Sequence, residues 1–164
     1  GYLREYTNEI FDEVYKNSSY QQVIIREVEE RGELKYDLKL LRNDGDFEDP
    51  SNASGGERAI VNLALRAGIY RLIAELEGGD RAKLPPFILD EPTTFLDEGH
   101  VGQLEEMLNT IKRWDVPQVI VVSHEESLIH GADHKCEITI DEETNTSQVE
   151  MQAAGGEELA PGDD

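Results

Sequence analysis

A chain of 164 residues is long enough for one domain with a real hydrophobic core. Its 15 lysines and arginines face 36 aspartates and glutamates, a formal net charge of −21, which argues against nucleic acid or an anionic membrane as a partner recognised by charge alone. A single cysteine, Cys136, excludes an internal disulfide framework and a multi-cysteine metal site. No apolar run approaches the roughly 20 residues of a membrane span, and no signal peptide is visible, which together imply a cytoplasmic protein without a membrane partner. The acids are scattered rather than gathered in one tail. That pattern fits a surface adapted to a high-salt cytoplasm, where at 1 M salt the Debye length falls to about 3 Å and self-repulsion is screened. Gly1 is not a start methionine and helical periodicity begins at once, as expected of a piece of a longer protein.

Leu3, Tyr6, Ile10 and Val14 fall at helical spacing and predict an amphipathic helix over residues 2–16. Two heptads leave open whether it packs on its own domain or enters a coiled coil. Asn17-Ser18-Ser19 ends it. Gln21–Glu29 reads as a strand, and Leu34, Tyr36, Leu38 and Leu40 alternate with polar residues as a half-buried second strand. Glu30-Arg31-Gly32 makes the turn of a hairpin. Arg42–Ala53 is polar and reads as a loop. Ser54 to about Glu77 is a helix apolar on most faces, expected to be largely buried, and Gly78–Pro86 breaks it.

Phe87–Asp90 is a short buried strand, followed by a helix over Glu98–Trp114 and a turn at Asp115-Val116-Pro117. Gln118–Ser123 is a second continuous apolar strand, and Glu125–His130 a short helix. Cys136–Asp141 and Ser147–Met151 form a terminal hairpin around Glu142–Thr146. Residues 152–164 are poor in apolar side chains and read as a disordered acidic tail. Strand, helix, strand from residue 87 onward implies an α/β fold with a mainly parallel sheet, flanking helices and β-hairpins.

The chemistry concentrates at strand ends. Asp90 and Glu91 close an apolar strand, where adjacent carboxylates are costly unless something uses them. Ligands of α/β sheets bind at that edge, so Asp90 is a candidate ligand of Mg²⁺, and Glu91, one residue on, a candidate to polarise an attacking water. Ser54-Gly55-Gly56-Glu57 matches a helix N-cap with a capping box. Two glycines in a first turn are nevertheless poor helix formers, which suits close approach of backbone N–H groups to an anion. His124 follows the second parallel strand as Glu91 follows the first, and is a candidate phosphate contact. Asp97 suits either an N-cap for the next helix or a subunit interface. His100, His130 and His134 read as surface residues without a role. No Gly-Lys dipeptide occurs, so the phosphate loop G-x-x-x-x-G-K-[ST] is missing. The chain has the metal and water half of an ATPase without the phosphate cradle.

At these residues the chain resembles the carboxy-terminal lobe of an ABC-type (P-loop NTPase) ATPase head. Ser54-Gly55-Gly56-Glu57 is similar to the ABC signature, Ile88-Leu89-Asp90-Glu91 to the Walker B motif, Phe95-Leu96-Asp97 to the D-loop, and His124 to the switch histidine. With the helix and hairpin ahead of the signature and the Asp-Glu-Pro-Thr-Thr-Phe-Leu-Asp-Glu run, it resembles Rad-fifty, the SMC-like coiled-coil ATPase of the Mre–Rad double-strand-break repair complex. The resemblance covers residues 2–151 and departs little from the pattern; Ala53 stands where leucine is common. It implies that residues 1–16 end a coiled coil, 17–151 form the ATPase lobe and 152–164 are a tail. It further implies an amino-terminal lobe of the same protein carrying the phosphate loop, a second head forming a homodimer on ATP and Mg²⁺, DNA, and the nuclease Mre-eleven. Catalysis would use Glu91 and His124, the metal Asp90, and the trans ATP contact Ser54, Gly55, Gly56 and Glu57, with Asp97 at the head interface. Arg66 matches a residue that couples ATP to lobe rotation. An SMC head, a transporter nucleotide-binding domain and a non-enzymatic acidic module are the alternatives; the last leaves the Asp-Glu strand and signature helix unexplained.

Overall fold

A computed structural model describes residues 1–16, 19–78, 84–94, 96–114 and 116–153. By internal compactness the chain divides into two units, Gly1–Val122 and Ser123–Asp164. Residues 17–18 of the expected helix end, part of the 78–86 helix break, Phe95, Asp115 and the tail from 154 lie outside the described residues.

In the first unit, α1 (Tyr2–Val14) buries Tyr6, Thr7, Asn8, Ile10, Phe11 and Val14. It stops two residues before the sequence pattern predicts, because Tyr15 turns extended (φ −83°, ψ 105°) and its N–H closes on the Phe11 carbonyl at 2.8 Å. The side chain of Asn8 then behaves like a piece of strand. Its amide donates to the Val23 carbonyl and accepts from the Val23 N–H, both at 2.8 Å, so β1 (Tyr20–Glu30) is tied to the helix at a buried point.

β1 pairs antiparallel with β2 (Glu33–Arg42) from Tyr20↔Arg42 to Glu30↔Glu33. Arg31 and Gly32 both take positive φ (55° and 80°), as a two-residue hairpin turn that follows the strand twist requires. The alternation in β2 predicts burial along its whole length. Only its base is covered: Leu40 is fully buried, whereas Leu34 and Tyr36 are exposed. The loop expected over Arg42–Ala53 holds a short third strand, β3 (Phe47–Glu48), and a 3₁₀ turn at Pro50–Asn52 capped by Asp49, whose Oδ1 accepts from the Ser51 N–H.

The helix α2 (Gly55–Leu76) buries Ile60, Val61, Leu63, Ala64, Ala67, Gly68 and Tyr70. The expectation of burial on most faces is corrected here, since Ile69, Ile73 and Leu76 are exposed. α1 and α2 touch where both are narrow: a Cβ on Gly68 would stand 2.6 Å from Thr7 Oγ1 and 2.9 Å from the Thr7 backbone N. Arg71 of α2 pairs with Glu9, and its guanidinium lies 4.5 Å from the Tyr6 ring centre and 5.1 Å from that of Trp114. Tyr6 donates to Glu75, and that bond, with some burial, pushes the phenol up to about 12.

β4 (Phe87–Asp90) and β5 (Val119–Val122) pair in parallel, Phe87↔Val119 through Asp90↔Val122, with α3 (Glu98–Arg113) as the crossover. Phe87 and Leu89 turn into a core shared with Ile10, Leu40, Ile60, Leu104, Met107 and Ile111; full burial of each large apolar side chain contributes about 1.5–3 kcal/mol. Ile88, Ile120 and Val122 face the other way and are exposed. The parallel pair is the smaller share of the strand pairing, because the strands on either side of it in the chain close as hairpins. The fold is α/β.

The second unit contains α4 (Glu126–His130) and a hairpin of β6 (His134–Asp141) and β7 (Thr146–Ala153). The hairpin is longer than expected. His134 pairs with Ala153 at its open end, so residues 152 and 153, assigned from composition to a disordered tail, are strand. The Asp141 carboxylate accepts from the Glu143 and Thr144 N–H groups and organises the turn.

Gly68→Ala tests the helix crossing. Alanine gains about 1 kcal/mol in an exposed helix interior, yet here its methyl meets backbone that cannot withdraw. The expected outcome is a net loss of about 1–3 kcal/mol, as for an overpacked core, read as a lowered urea midpoint; an unchanged or raised midpoint counts against the close approach.

Candidate active site

Ser54 caps α2. Its hydroxyl accepts from the Glu57 N–H at 3.2 Å, and Glu57 Oε2 accepts from the Ser54 N–H at 3.0 Å, so the predicted capping box is complete. The box uses two first-turn donors and leaves those of Gly55 and Gly56, beside an exposed Ser54, as the ones an anion can reach. Glu57 itself is turned inward. Its second oxygen accepts from the Tyr15 hydroxyl at 2.9 Å, so both oxygens of this expected nucleotide contact bond within the protein. Burial opposes the charge of this carboxylate, but hydrogen bonds from Ser54, Tyr15 and Ser19 outweigh it and hold the pKa below the usual range.

Asp90 ends β4 with its side chain exposed. Glu91 follows with φ +43°, a left-handed backbone that a non-glycine residue rarely adopts. Its N–H donates to the Val122 carbonyl at 2.8 Å, and its carbonyl accepts from the Thr94 N–H and hydroxyl at 3.2 and 2.9 Å. The strand edge and the Pro92–Thr94 turn thus clamp this conformation from both sides. Strain of this kind costs about 1–3 kcal/mol and gathers at functional positions.

Asp97 is the N-cap of α3: its Oδ1 accepts from the His100 N–H at 3.0 Å and lies 2.7 Å from His100 Nδ1. The backbone and ring of His100 hold its pKa below the ordinary carboxylate value. His100, read from the sequence as a surface residue, is corrected here: only 12% of its side chain is exposed, and its ring lies against Gly56. The signal was its place three residues after an N-cap aspartate. His130 contacts the Glu126 carbonyl through Nδ1 and stays exposed, as does His134. Arg66 lies exposed on α2, about 15 Å beyond Gly56 at 1.5 Å per residue. His124 belongs to the second unit, two residues beyond the end of β5, and is exposed. The first unit thus brings together Gly56 and Asp97, through His100; Asp90 and Glu91 share the end of β4.

Among the described residues no three His, Cys, Asp or Glu side chains form a metal cluster. Asp90 offers one carboxylate, which is the protein share Mg²⁺ takes when phosphates and water complete its shell. Two open grooves, one along α1 by Glu5, Asn8 and Asp12 and one between Tyr70, Arg71 and Trp114, are lined by none of the candidate residues.

No family model matches the chain. It is 46% identical over 147 residues to a DNA double-strand break repair Rad50 ATPase of Halobacterium salinarum, covering 90% of this chain and 16% of that protein. A relative of the same name from Methanosarcina mazei is 46% identical over 150 residues, covering 91% and 13%. The chain is a Rad50-family segment. It spans only 16% and 13% of the length of these curated relatives. Among solved structures, the Smc head domain with coiled coil and joint from Pyrococcus yayanosii superimposes with a TM-score of 0.70 at 18% identity, over 94% of this chain and 27% of that one. An SMC ATPase described for ATP-driven dimerisation and DNA-stimulated activation gives 0.67 at 17% identity, over 94% and 86%. These likenesses establish the fold.

The strain at Glu91 gives a prediction that separates stability from chemistry. Glu91→Gly removes the penalty of a left-handed side-chain-bearing residue and should stabilise the lobe by about 1 kcal/mol. The melting temperature should rise by about 2–4 °C, and a fall would show that the conformation is unstrained.

Proposed function

We propose that this segment is the carboxy-terminal half of an ATP-hydrolysing head of Rad50 type, competent only with an amino-terminal lobe that carries the phosphate loop. The observation that carries the reading is Glu91, held in a left-handed conformation beside the exposed Asp90 at the carboxyl edge of a parallel strand pair. The bare side of that pair supports the missing lobe. Parallel sheets are covered on both faces, and here Ile88, Ile120 and Val122 stand exposed.

The residues present fit a magnesium nucleotide. Asp90 would hold the ion, which when bound neutralises phosphate charge. Glu91 orients the attacking water and accepts its proton. His124, two residues beyond β5 in the chain, is the candidate phosphate contact that the resemblance implies. Ser54 and the N–H groups of Gly55 and Gly56 face the nucleotide held by a second head, with Asp97 at the head interface and Glu57 keeping the signature turn in shape. ATP would therefore pair two heads into a clamp on DNA and so control a nuclease, Mre-eleven, bound near the base of a coiled coil that ends in residues 1–16. Arg66 is the candidate that couples nucleotide binding to lobe rotation. The protein works in the cytoplasm, at high salt, and DNA contact falls to the few basic residues here or to its partners.

The purified 164-residue chain should not hydrolyse ATP, and the same chain co-expressed with its amino-terminal lobe should. Glu91→Gln in the assembled head should keep ATP binding and dimerisation while turnover drops about a hundredfold or more, as for a lost general base. Unchanged turnover removes Glu91 from that role, and robust turnover by the isolated chain refutes the split head.

The net charge of −21 makes a separate prediction. The assembled lobes should melt at higher temperature as KCl rises from physiological to molar, because screening relieves carboxylate repulsion. A flat or falling melting temperature would assign the acids to a basic partner instead.

A further inference from the structure

The signature turn and the D-loop meet through one imidazole. His100 Nδ1 lies 2.7 Å from Asp97 Oδ1 while the backbone N–H of His100 donates to the same oxygen. The same part of that ring fills the space where Gly56 lacks a side chain: a Cβ there would stand 3.0 Å from both Cε1 and Nδ1 of His100 and 3.3 Å from Cγ. Asp97 is exposed and the His100 side chain is nearly covered. The ring is therefore the largely covered link between Gly56 and Asp97.

We propose that His100 is a positioning residue for ATP hydrolysis, setting the signature turn and Asp97 at a fixed spacing so that both engage the second head together. This rests on the two-headed reading above. It assigns a second reason for glycine at position 56. Approach of a phosphate explains a small residue at the helix start; a methyl on the inner side would press on the His100 ring, which would have to shift by a few tenths of an ångström to admit it. The consequence is specific. Adding the methyl and shrinking the ring should compensate, whereas a methyl that obstructs only nucleotide would gain nothing from a smaller residue 100.

The test uses the full-length protein with both lobes. His100→Ala should weaken ATP-dependent dimerisation and lower kcat roughly tenfold, with affinity of a fluorescent ATP analogue for the separated head unchanged, because that nucleotide sits in the head's own phosphate loop. His100→Asn, which keeps a donor for Asp97 but not the ring, should recover part of the loss. Gly56→Ala should be more damaging than His100→Ala, and the double variant should dimerise better than Gly56→Ala alone. Strictly additive losses overturn the proposal. So does a loss in His100→Ala that merely tracks a lowered melting temperature. Ser54→Arg, which places a long cation before the partner's nucleotide, serves as the control. If Ser54→Arg also dimerises normally, the two-headed reading fails; if it abolishes dimers while His100→Ala does not, the inference about His100 alone fails.

Discussion

Glu57 is the carboxylate on which the geometry of the Ser54–Glu57 turn depends. One oxygen closes the capping box with Ser54, and the other takes the hydroxyl of Tyr15 at the end of α1. A helix start with two glycines is flexible by composition and costs about 1 kcal/mol per glycine relative to alanine. The box offsets that loss locally, and Tyr15 fixes the start to a helix that is itself locked to β1 by Asn8 and to α2 by the Thr7–Gly68 crossing. Tyr15 stacks on Phe11 with ring centres 4.5 Å apart, and burial and the bond to Glu57 push its phenol upward, so it remains a donor at any physiological pH. The flexible glycines are thus presented by a rigid frame.

The same frame explains why a two-stranded parallel pair persists. Four-residue strands have little intrinsic stability, yet the inward side of β4 is sealed by Phe87 and Leu89, with Tyr70 set edge-on to Phe87 at 5.4 Å. The outward side has nothing comparable among the described residues. Bare Ile88, Ile120 and Val122, together with the exposed row Ile69, Ile73 and Leu76 on α2, are apolar surface that water covers only at a cost. The position of Glu91 is fixed by backbone bonds on both sides, its N–H donating to Val122 and its carbonyl accepting from Thr94. Completion of the sheet by another lobe would then add to the site without having to create it.

Most elements were legible because each has a local cause. The capping box follows from serine and glutamate three residues apart, and the first hairpin from Arg-Gly at its turn. The carboxylates at the end of β4 are visible because charge abruptly follows an apolar run. What the sequence hid depended on contact at a distance. Alternation in β2 looks the same whether or not anything covers Leu34 and Tyr36. The apolar residues of α2 predict burial on most faces, and nothing in the sequence marks Ile69, Ile73 and Leu76 as the exposed ones. Composition hid the pairing of His134 with Ala153. His100 carries no signal of packing on a glycine 44 positions earlier; only the α2–α3 crossing in space supplies it.

The acidity of the chain bears on which of these contacts can be trusted to hold the fold. Most ion pairs among the described residues, such as Lys35–Glu30, Arg42–Asp44 and Lys135–Glu137, are exposed. Such pairs contribute about 0–1 kcal/mol at best, and molar salt screens them further. What survives that screening is short-range packing and buried hydrogen bonding: the Asn8 amide on Val23, the Thr7–Gly68 crossing, and the largely covered ring of His100 on Gly56. These short-range contacts link α1 to β1, α1 to α2, and α2 to α3. A surface carrying this much charge therefore leaves the geometry of the candidate site to buried packing and hydrogen bonds, which is where the residues that frame it are found.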